Sequence, residues 1–333
     1  MRMQEELLQL FPIERRAFWT PVAAEWARVE EIRLRVGRPV LVRWKGREWC
    51  LDEKGRLIPP GENGYCADED ELEGLLQHIC HYSLYAFEDE LRQGFITVPG
   101  GHRVGVAGQV VLNADGTIRT MKHIRYMNIR VSHEIRGAAD EILPYLYDRG
   151  SLKNTLILSP PGCGKTTLLR DLVRQISDGN VYAEGMCVGL VDERSEIAGS
   201  YLGQPQNDVG MRTDVLDACP KALGMTVLLR SMSPRVIAVD ELGSREDMEA
   251  LHMASSCGCR LLATAHGEGI SDVARKLGEN RFVREQLFDL CIILGRREGK
   301  SVPLKICGRE EIYVSLAGND HDTGGSPRSG NLV

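Results

Sequence analysis

The sequence predicts an α/β chain in two parts: a smaller α+β region, followed by a parallel sheet with helices on both faces. Three observations point there. The 333 residues exceed one ordinary domain and suffice for two sizeable cores. From Thr155, short apolar runs alternate with helical stretches: TLILS then TTLLRDLVRQI, VGLVD then a loop, RVIAVDE then EDMEALHMA, RLLATAH then ISDVARKL. Strands that are apolar throughout belong to sheets covered on both faces. Before about residue 140, EIRLRVG (31–37) and PVLVRW (39–44) instead alternate apolar and polar side chains, the period of half-buried antiparallel strands.

Taken in order, EELLQLFPIERRAFW places Leu7, Leu8, Leu10 and Phe11 near one helical face, interrupted by Pro12. Asp68, three residues before Glu71, forms a capping-box arrangement ahead of the helical run ELEGLLQHICHYSLYAF. FITV, the turn PGG, HRVGVAGQVVL, the turn NADG and TIRTMKHIRYMNIRV then read as strands of one antiparallel sheet. The expected division is an N-terminal α+β domain over 1–140, a linker over 141–152, the strand–helix domain over 153–316 and a disordered tail over 317–333, rich in Gly, Ser, Asp and Asn.

Composition narrows the function. Apolar and charged contents of 43% and 26% are those of a soluble globular protein. A net charge of −6 and an aromatic content of 6% argue against nucleic acid or anionic lipid as a default partner. The Met1 end shows no signal sequence, and no apolar run approaches the ~20 residues of a membrane span. Ten cysteines are scattered without a Cys-x-x-Cys pair, which predicts free thiols and a cytoplasmic location. Cys257, Cys259 and His266 lack a second ligand pair at zinc spacing.

The chemistry concentrates in Ser159-Pro-Pro-Gly-Cys-Gly-Lys-Thr-Thr167. A strand delivers this loop, small residues let backbone N–H groups face phosphates, and a helix begins at its end. Pro161, Gly162, Cys163, Gly164, Lys165, Thr166 and Thr167 would bind nucleotide, with Lys165 on the β- and γ-phosphates and the Thr166 hydroxyl on Mg²⁺. Ser159 stands where the usual pattern has Gly. Asp240 and Glu241 end a later apolar strand, so Asp240 would hold Mg²⁺ through water and Glu241 would polarise the attacking water. His266, with Thr264 beside it, ends the next strand and could contact the γ-phosphate or that water. Asp192 and Glu193 could add a carboxylate near the metal, or belong to a solvated loop. With no Asn-Lys-x-Asp stretch to read guanine, ATP is favoured over GTP.

CHYSLYAFEDELRQGFITVPGGHRVGVAGQ, PPGCGKTTLLRD, VDERSEIAG, RTDVLDACPKALGM, RSMSPRVIAVDELG and LLATAHG together resemble the stage III sporulation AA family of endospore-forming bacteria. The resemblance runs from about Glu5 to an expected strand near Val314. Through that family the chain resembles the wider group of type II and type IV secretion ATPases. What this implies is a RecA-like P-loop ATPase domain preceded by the smaller α+β domain, using ATP and Mg²⁺. Asp192, Glu193 and Glu196 match the group's acidic box, and His266 matches its histidine box without a second histidine. The resemblance implies a homo-hexameric ring in the mother cell, peripheral at the membrane, acting on integral membrane proteins of the channel to the forespore. It also implies an arginine supplied by the N-terminal domain to a neighbour's nucleotide; Arg103 and Arg130 are the first candidates, then Arg119, Arg212 and Arg230. The stretch 136–150, flanked by Gly137 and Gly150, would be the hinge. Two competing readings are a ring ATPase acting on nucleic acid, since RecA-like cores serve both uses, and a scaffold that binds ATP without hydrolysis. The acidic charge opposes the first, so no stable nucleic-acid binding is expected; the presence of Lys165, Asp240 and Glu241 opposes the second.

Overall fold

A computed structural model of the chain describes residues 2–61, 63–297 and 300–317. It divides into two compact units, Met1–Glu134 with Gly199–Asn207, and Ile135–Ala198 with Asp208–Val333.

The first unit is built on seven strands, β1 (Val29–Arg35), β2 (Arg38–Trp44), β3 (Arg47–Leu51), β4 (Leu57–Ile58), β5 (Phe95–Val98), β6 (His102–Leu112) and β7 (Ile118–Arg130). They form one sheet in the order β4-β3-β2-β1-β7-β6-β5, with every pairing antiparallel. Helices α1 (Arg2–Gln9), α2 (Arg16–Ala24), α3 (Glu69–Ile79) and α4 (Glu88–Gln93) supply its core, in which Leu7, Phe11, Trp19 and Leu72 join Ile32, Val104 and Ile129 from the strands. The alternation read in EIRLRVG is this division: Ile32 and Leu34 are buried, while Glu31, Arg33 and Arg35 remain partly exposed. Glu31, Arg130 and Arg103 stand side by side in register across β1, β7 and β6, and so share one face.

Asp68 caps α3 by accepting the Glu71 N–H at 2.8 Å. The helical run expected to continue to Phe87 breaks sooner. His81 and Tyr82 take left-handed φ of 48° and 58°, and only a short turn at Leu84–Phe87 follows. Neither residue is a glycine or proline, so no breaker marks the place. The segment Gly199–Asn207 packs within this unit: the Gly100 N–H donates to Gln206 Oε1 at 3.0 Å, and His81 hydrogen-bonds the Tyr201 hydroxyl.

The second unit begins with α5 (Leu143–Leu146) and the small pair β8 (Tyr147–Asp148) and β9 (Ser151–Leu152). The stretch read as linker and hinge therefore carries structure of its own, and Ile142, Leu143, Leu146, Tyr147 and Leu152 are buried in this unit's core. There follow β10 (Thr155–Ser159), α6 (Lys165–Asp178), the pair β11 (Gly179–Asn180) and β12 (Ala183–Glu184), β13 (Val188–Asp192), β14 (Thr213–Asp217) and α7 (Lys221–Ser231). The remainder is β15 (Val236–Leu242), α8 (Arg245–Ser256), β16 (Arg260–His266), α9 (Ile270–Leu277), α10 (Glu279–Glu285), β17 (Leu290–Arg297), β18 (Lys300–Gly308) and α11 (Arg309–Ala317).

The main sheet runs β14-β13-β15-β16-β10-β17-β18, parallel except for β18, which returns antiparallel on β17. Its central strands are buried on both sides. Leu156, Leu158, Ile237, Val239 and Ala263 face Met248, Leu251 and Phe282 of the helices on one side. Ile157, Leu190, Ala238 and Leu262 meet Leu169, Leu172 and Val173 of α6 on the other. The edge strand β14 lies in what reads as loop. The expected strand near Val314 is instead helix α11, whose first turn carries Glu310 and Glu311. The tail beyond 317 lies outside the described residues.

Candidate active site

All parallel strands of the main sheet end at one edge, and the candidate residues lie on four of the loops that leave it there. The first is the phosphate-binding candidate. Gly162 and Gly164 take φ of 74° and 81°, a conformation that L side chains adopt only under strain, so the two glycines are structural requirements of the loop. Gly164 is the N-cap of the 14-residue α6 and no side chain caps it. The first N–H groups of α6 thus have no intrahelical partner, and with the helix dipole they favour an anion. Ser159 closes β10 in register with His266 and is fully buried, so its backbone is ordinary strand and no glycine is needed there. Its side chain is put to use: Lys165 Nζ donates to Ser159 Oγ at 3.2 Å and to Ser159 O at 3.3 Å.

The second loop leaves β15 through a β-bulge. Val239 pairs with Ala263 but Leu242 pairs with Ala265, so one extra residue is inserted, and Glu241 adopts a left-handed φ of 53°. A non-glycine residue in that region costs ~1–2 kcal/mol. It is held by the Glu241 N–H, which donates to Thr264 Oγ1 at 2.9 Å and to Asp240 Oδ1 at 3.0 Å. Thr264 also donates to Asp240, and Thr166 Oγ1 donates to Asp240 Oδ2 at 3.1 Å. The expected hydroxyl and carboxylate for Mg²⁺ are therefore neighbours. Burial pushes the Asp240 carboxyl above the usual range, with Glu241 adding to the rise, and a divalent cation there would relieve both. Thr166 and Asp240 fit Mg²⁺ as the protein's share of a shell whose remaining oxygens come from phosphate and water.

His266 bridges the two loops. Its Nε2 lies 2.7 Å from Glu241 Oε1, and its Nδ1 lies 2.8 Å from Lys165 Nζ. Lys165 can only donate, so Nδ1 accepts and Nε2 carries the proton. Burial lowers the Lys165 pKa, and Asp240 and Glu241 partly restore it. For Glu241, burial pushes the pKa up, but His266 and Arg194 outweigh it and hold the carboxyl below the ordinary range.

The acidic box departs from expectation. Asp192 is 1% exposed and accepts backbone N–H groups of Glu196, Ile197 and Ala198 at 2.8–3.0 Å. Its carboxylate shapes its own loop. Burial raises its pKa to about 6 even against those three donors. Glu193 pairs with Lys221 of α7. Arg194, quoted in the motif but given no role, is the residue sequence reasoning missed: its guanidinium lies 3.0 Å from Glu241 Oε2. An arginine among three acids was the available signal.

Lys165, Thr166, Asp240, Glu241, Thr264 and His266 thus form one hydrogen-bonded group. Arg103 and Arg130 belong to the first unit, where Arg103 stacks on Phe95 at 3.6 Å. Arg119 lies on β7 of that unit. Arg212 donates to Ser177 O at 3.0 Å, and Arg230 is exposed on α7. Among the described residues, no cluster of three His, Cys, Asp or Glu side chains is placed to hold a metal, and all ten cysteines are free. No described helix is long and apolar enough to cross a membrane.

A family model described as sporulation stage III, protein AA, matches residues 1–311. The chain is 40% identical over 291 residues to stage III sporulation protein AA of Bacillus subtilis (strain 168), covering 87% of this chain and 90% of that one. Among solved structures it resembles the Legionella pneumophila ATPase DotB, with a TM-score of 0.59 at 19% identity over 92% of this chain and 84% of that chain. It also resembles the pilus retraction motor PilT with bound ADP, with a TM-score of 0.63 at 15% identity over 91% and 88%. At those identities the likeness speaks for the fold alone, a RecA-like domain with a smaller α+β unit.

Proposed function

Starting from the finding that the chain belongs to the sporulation stage III protein AA family, we propose that it is a Mg²⁺-dependent ATP hydrolase of the secretion-motor type. It would energise assembly of, or transport through, the channel between mother cell and forespore. The observation that carries the enzymatic part is the single hydrogen-bonded group of Lys165, Thr166, Asp240, Glu241 and His266 at the mouth of an uncapped helix.

In this reading the backbone N–H groups from Gly162 to Thr167 and the Lys165 ammonium hold the phosphates. Bound Mg²⁺ supplies positive charge to the phosphate oxygens. Asp240 and Thr166 would hold it. Glu241 orients the attacking water and takes its proton, and His266 supports that carboxylate through Nε2. Such a site is slow by itself, and an arginine from a neighbour stabilises the charge on the transferred group. Arg103 and Arg130 are the proposed donors, which makes a closed homo-oligomer, a hexameric ring, the working form. Membrane proteins of the channel are the proposed partners, reached from the cytoplasmic side.

The test is specific ATPase activity against protein concentration, with Lys165→Ala as the blank. Activity per chain is expected to rise with concentration until assembly is complete, and Lys165→Ala is expected to lose ~10²-fold or more. Flat activity from a monomer would overturn the motor reading, and activity no higher than the blank would overturn the hydrolase reading.

A further inference from the structure

Arg194 is presented by a loop that is fixed on both sides of it. Asp192 binds three backbone N–H groups ahead, Glu193 pairs with Lys221, and Ser195 Oγ donates to Asp217 Oδ1 at 2.7 Å. Ser195 itself sits at a left-handed φ of 51°. From that platform the Arg194 side chain, 64% exposed, reaches back to Glu241 Oε2 at 3.0 Å.

The other oxygen of Glu241 faces His266 Nε2 at 2.7 Å, so both carboxylate oxygens already have a donor. A general base must accept a hydrogen bond from the water it activates. Beyond His266, Lys165 directs its ammonium to His266 Nδ1, Ser159 Oγ and Ser159 O, three acceptors for three donors. Lys165, His266, Glu241 and Arg194 thus form one continuous chain that ties the direction of the base to the group meant for phosphate, while each Glu241 oxygen keeps a lone pair for water.

We propose that Arg194 restrains Glu241, as a positioning residue that holds the carboxylate aside in the empty site and still does so after a polyphosphate has drawn Lys165 away from His266. Once Lys165 turns to phosphate, His266 keeps one oxygen of Glu241 through Nε2, and Arg194 alone holds the other. Arg194 therefore sets the idling rate of the enzyme. The inference rests on the hydrolase reading of this site.

The experiment is steady-state MgATP hydrolysis by the full chain, resolved into kcat and KM, for wild type, Arg194→Ala and Arg194→Lys. Arg194 is exposed, so neither change should disturb folding, and thermal unfolding checks it. Arg194→Ala is expected to raise unstimulated kcat about three- to fivefold, the size an exposed ion pair supports, with KM held within roughly twofold. Arg194→Lys keeps the charge and should return kcat toward wild type. In a Glu241→Gln background, Arg194→Ala should change nothing, because the restrained group is gone. A fall in kcat with a rise in KM would overturn the inference, since Arg194 would then serve the phosphates. So would an unchanged kcat, or an equal effect in the Glu241→Gln background. Wild-type activity no higher than Lys165→Ala would instead remove the hydrolase reading and the inference with it.

Discussion

The two sheets of this chain handle chemistry in opposite ways. In the second unit β10 and β13 are buried along their whole length, so polar function is confined to the loops at their carboxyl ends. In the first unit the strands alternate, and polar side chains are spread across an entire face, where Glu31, Arg130 and Arg103 form a row. The first arrangement gathers different groups onto one point. The second displays similar groups over an area. A site that must position a metal, a base and a phosphate needs the former, whereas a surface that donates charge to another molecule is served by the latter.

Three experiments would break or sharpen that contrast. The largest effect is expected from Arg103→Ala combined with Arg130→Ala. If the open face supplies the arginine, kcat should fall ~10³-fold or more while nucleotide still binds. A double variant that hydrolyses ATP at the wild-type rate would mean the second unit is self-sufficient. Next is the pH dependence of the first unit. His102 is 1% exposed, accepts the Ser132 N–H at Nδ1, and has no partner at Nε2 among the described residues. Burial lowers its pKa to about 4, from about 6.5 in the unfolded chain, with His133 adding to the shift. A depressed folded pKa means that the stabilisation is complete above about 6.5 and is lost as pH falls toward 4. The loss is about 3 kcal/mol. Urea unfolding at pH 7 and pH 4 should show it, and His102→Gln should flatten the difference. The smallest effect is expected at Ser159→Gly, which removes one acceptor from Lys165 and frees a strand residue. It should cost about 1 kcal/mol of stability and leave the KM for ATP little changed. A collapse of ATP binding there would show that the serine, not the strand geometry, sets the loop.

Much of the second unit was legible because its signals are local. An apolar run before a glycine loop can be read without knowing the partners, and so Lys165, Thr166, Asp240, Glu241 and His266 could be named from spacing alone. The capping of α3 by Asp68 was equally readable. What escaped depends on long-range pairing. The bulge that turns Glu241 toward His266 exists only because β15 and β16 pair out of step, and no residue announces it. The buried place of Asp192 depends on backbone N–H groups a few residues on, which have no sequence signature. The edge strands β14 and β18 carry mixed polar residues, and the break at His81–Tyr82 uses left-handed residues other than glycine.

The nine residues Gly199–Asn207 have a practical meaning for anyone who cuts this chain. The polypeptide leaves the second unit after Ala198, joins the first, and returns at Asp208. The units are therefore stitched by three crossings, at 134/135, 198/199 and 207/208, instead of one. A fragment ending at Glu134 would lack Tyr201 and Gln206, and with them the partners of His81 and Gly100. The complementary fragment would carry those nine residues as an orphaned flap. In the language of knitting, this is a garment without a single seam: a protease could open it at any one crossing and leave both pieces still tied together.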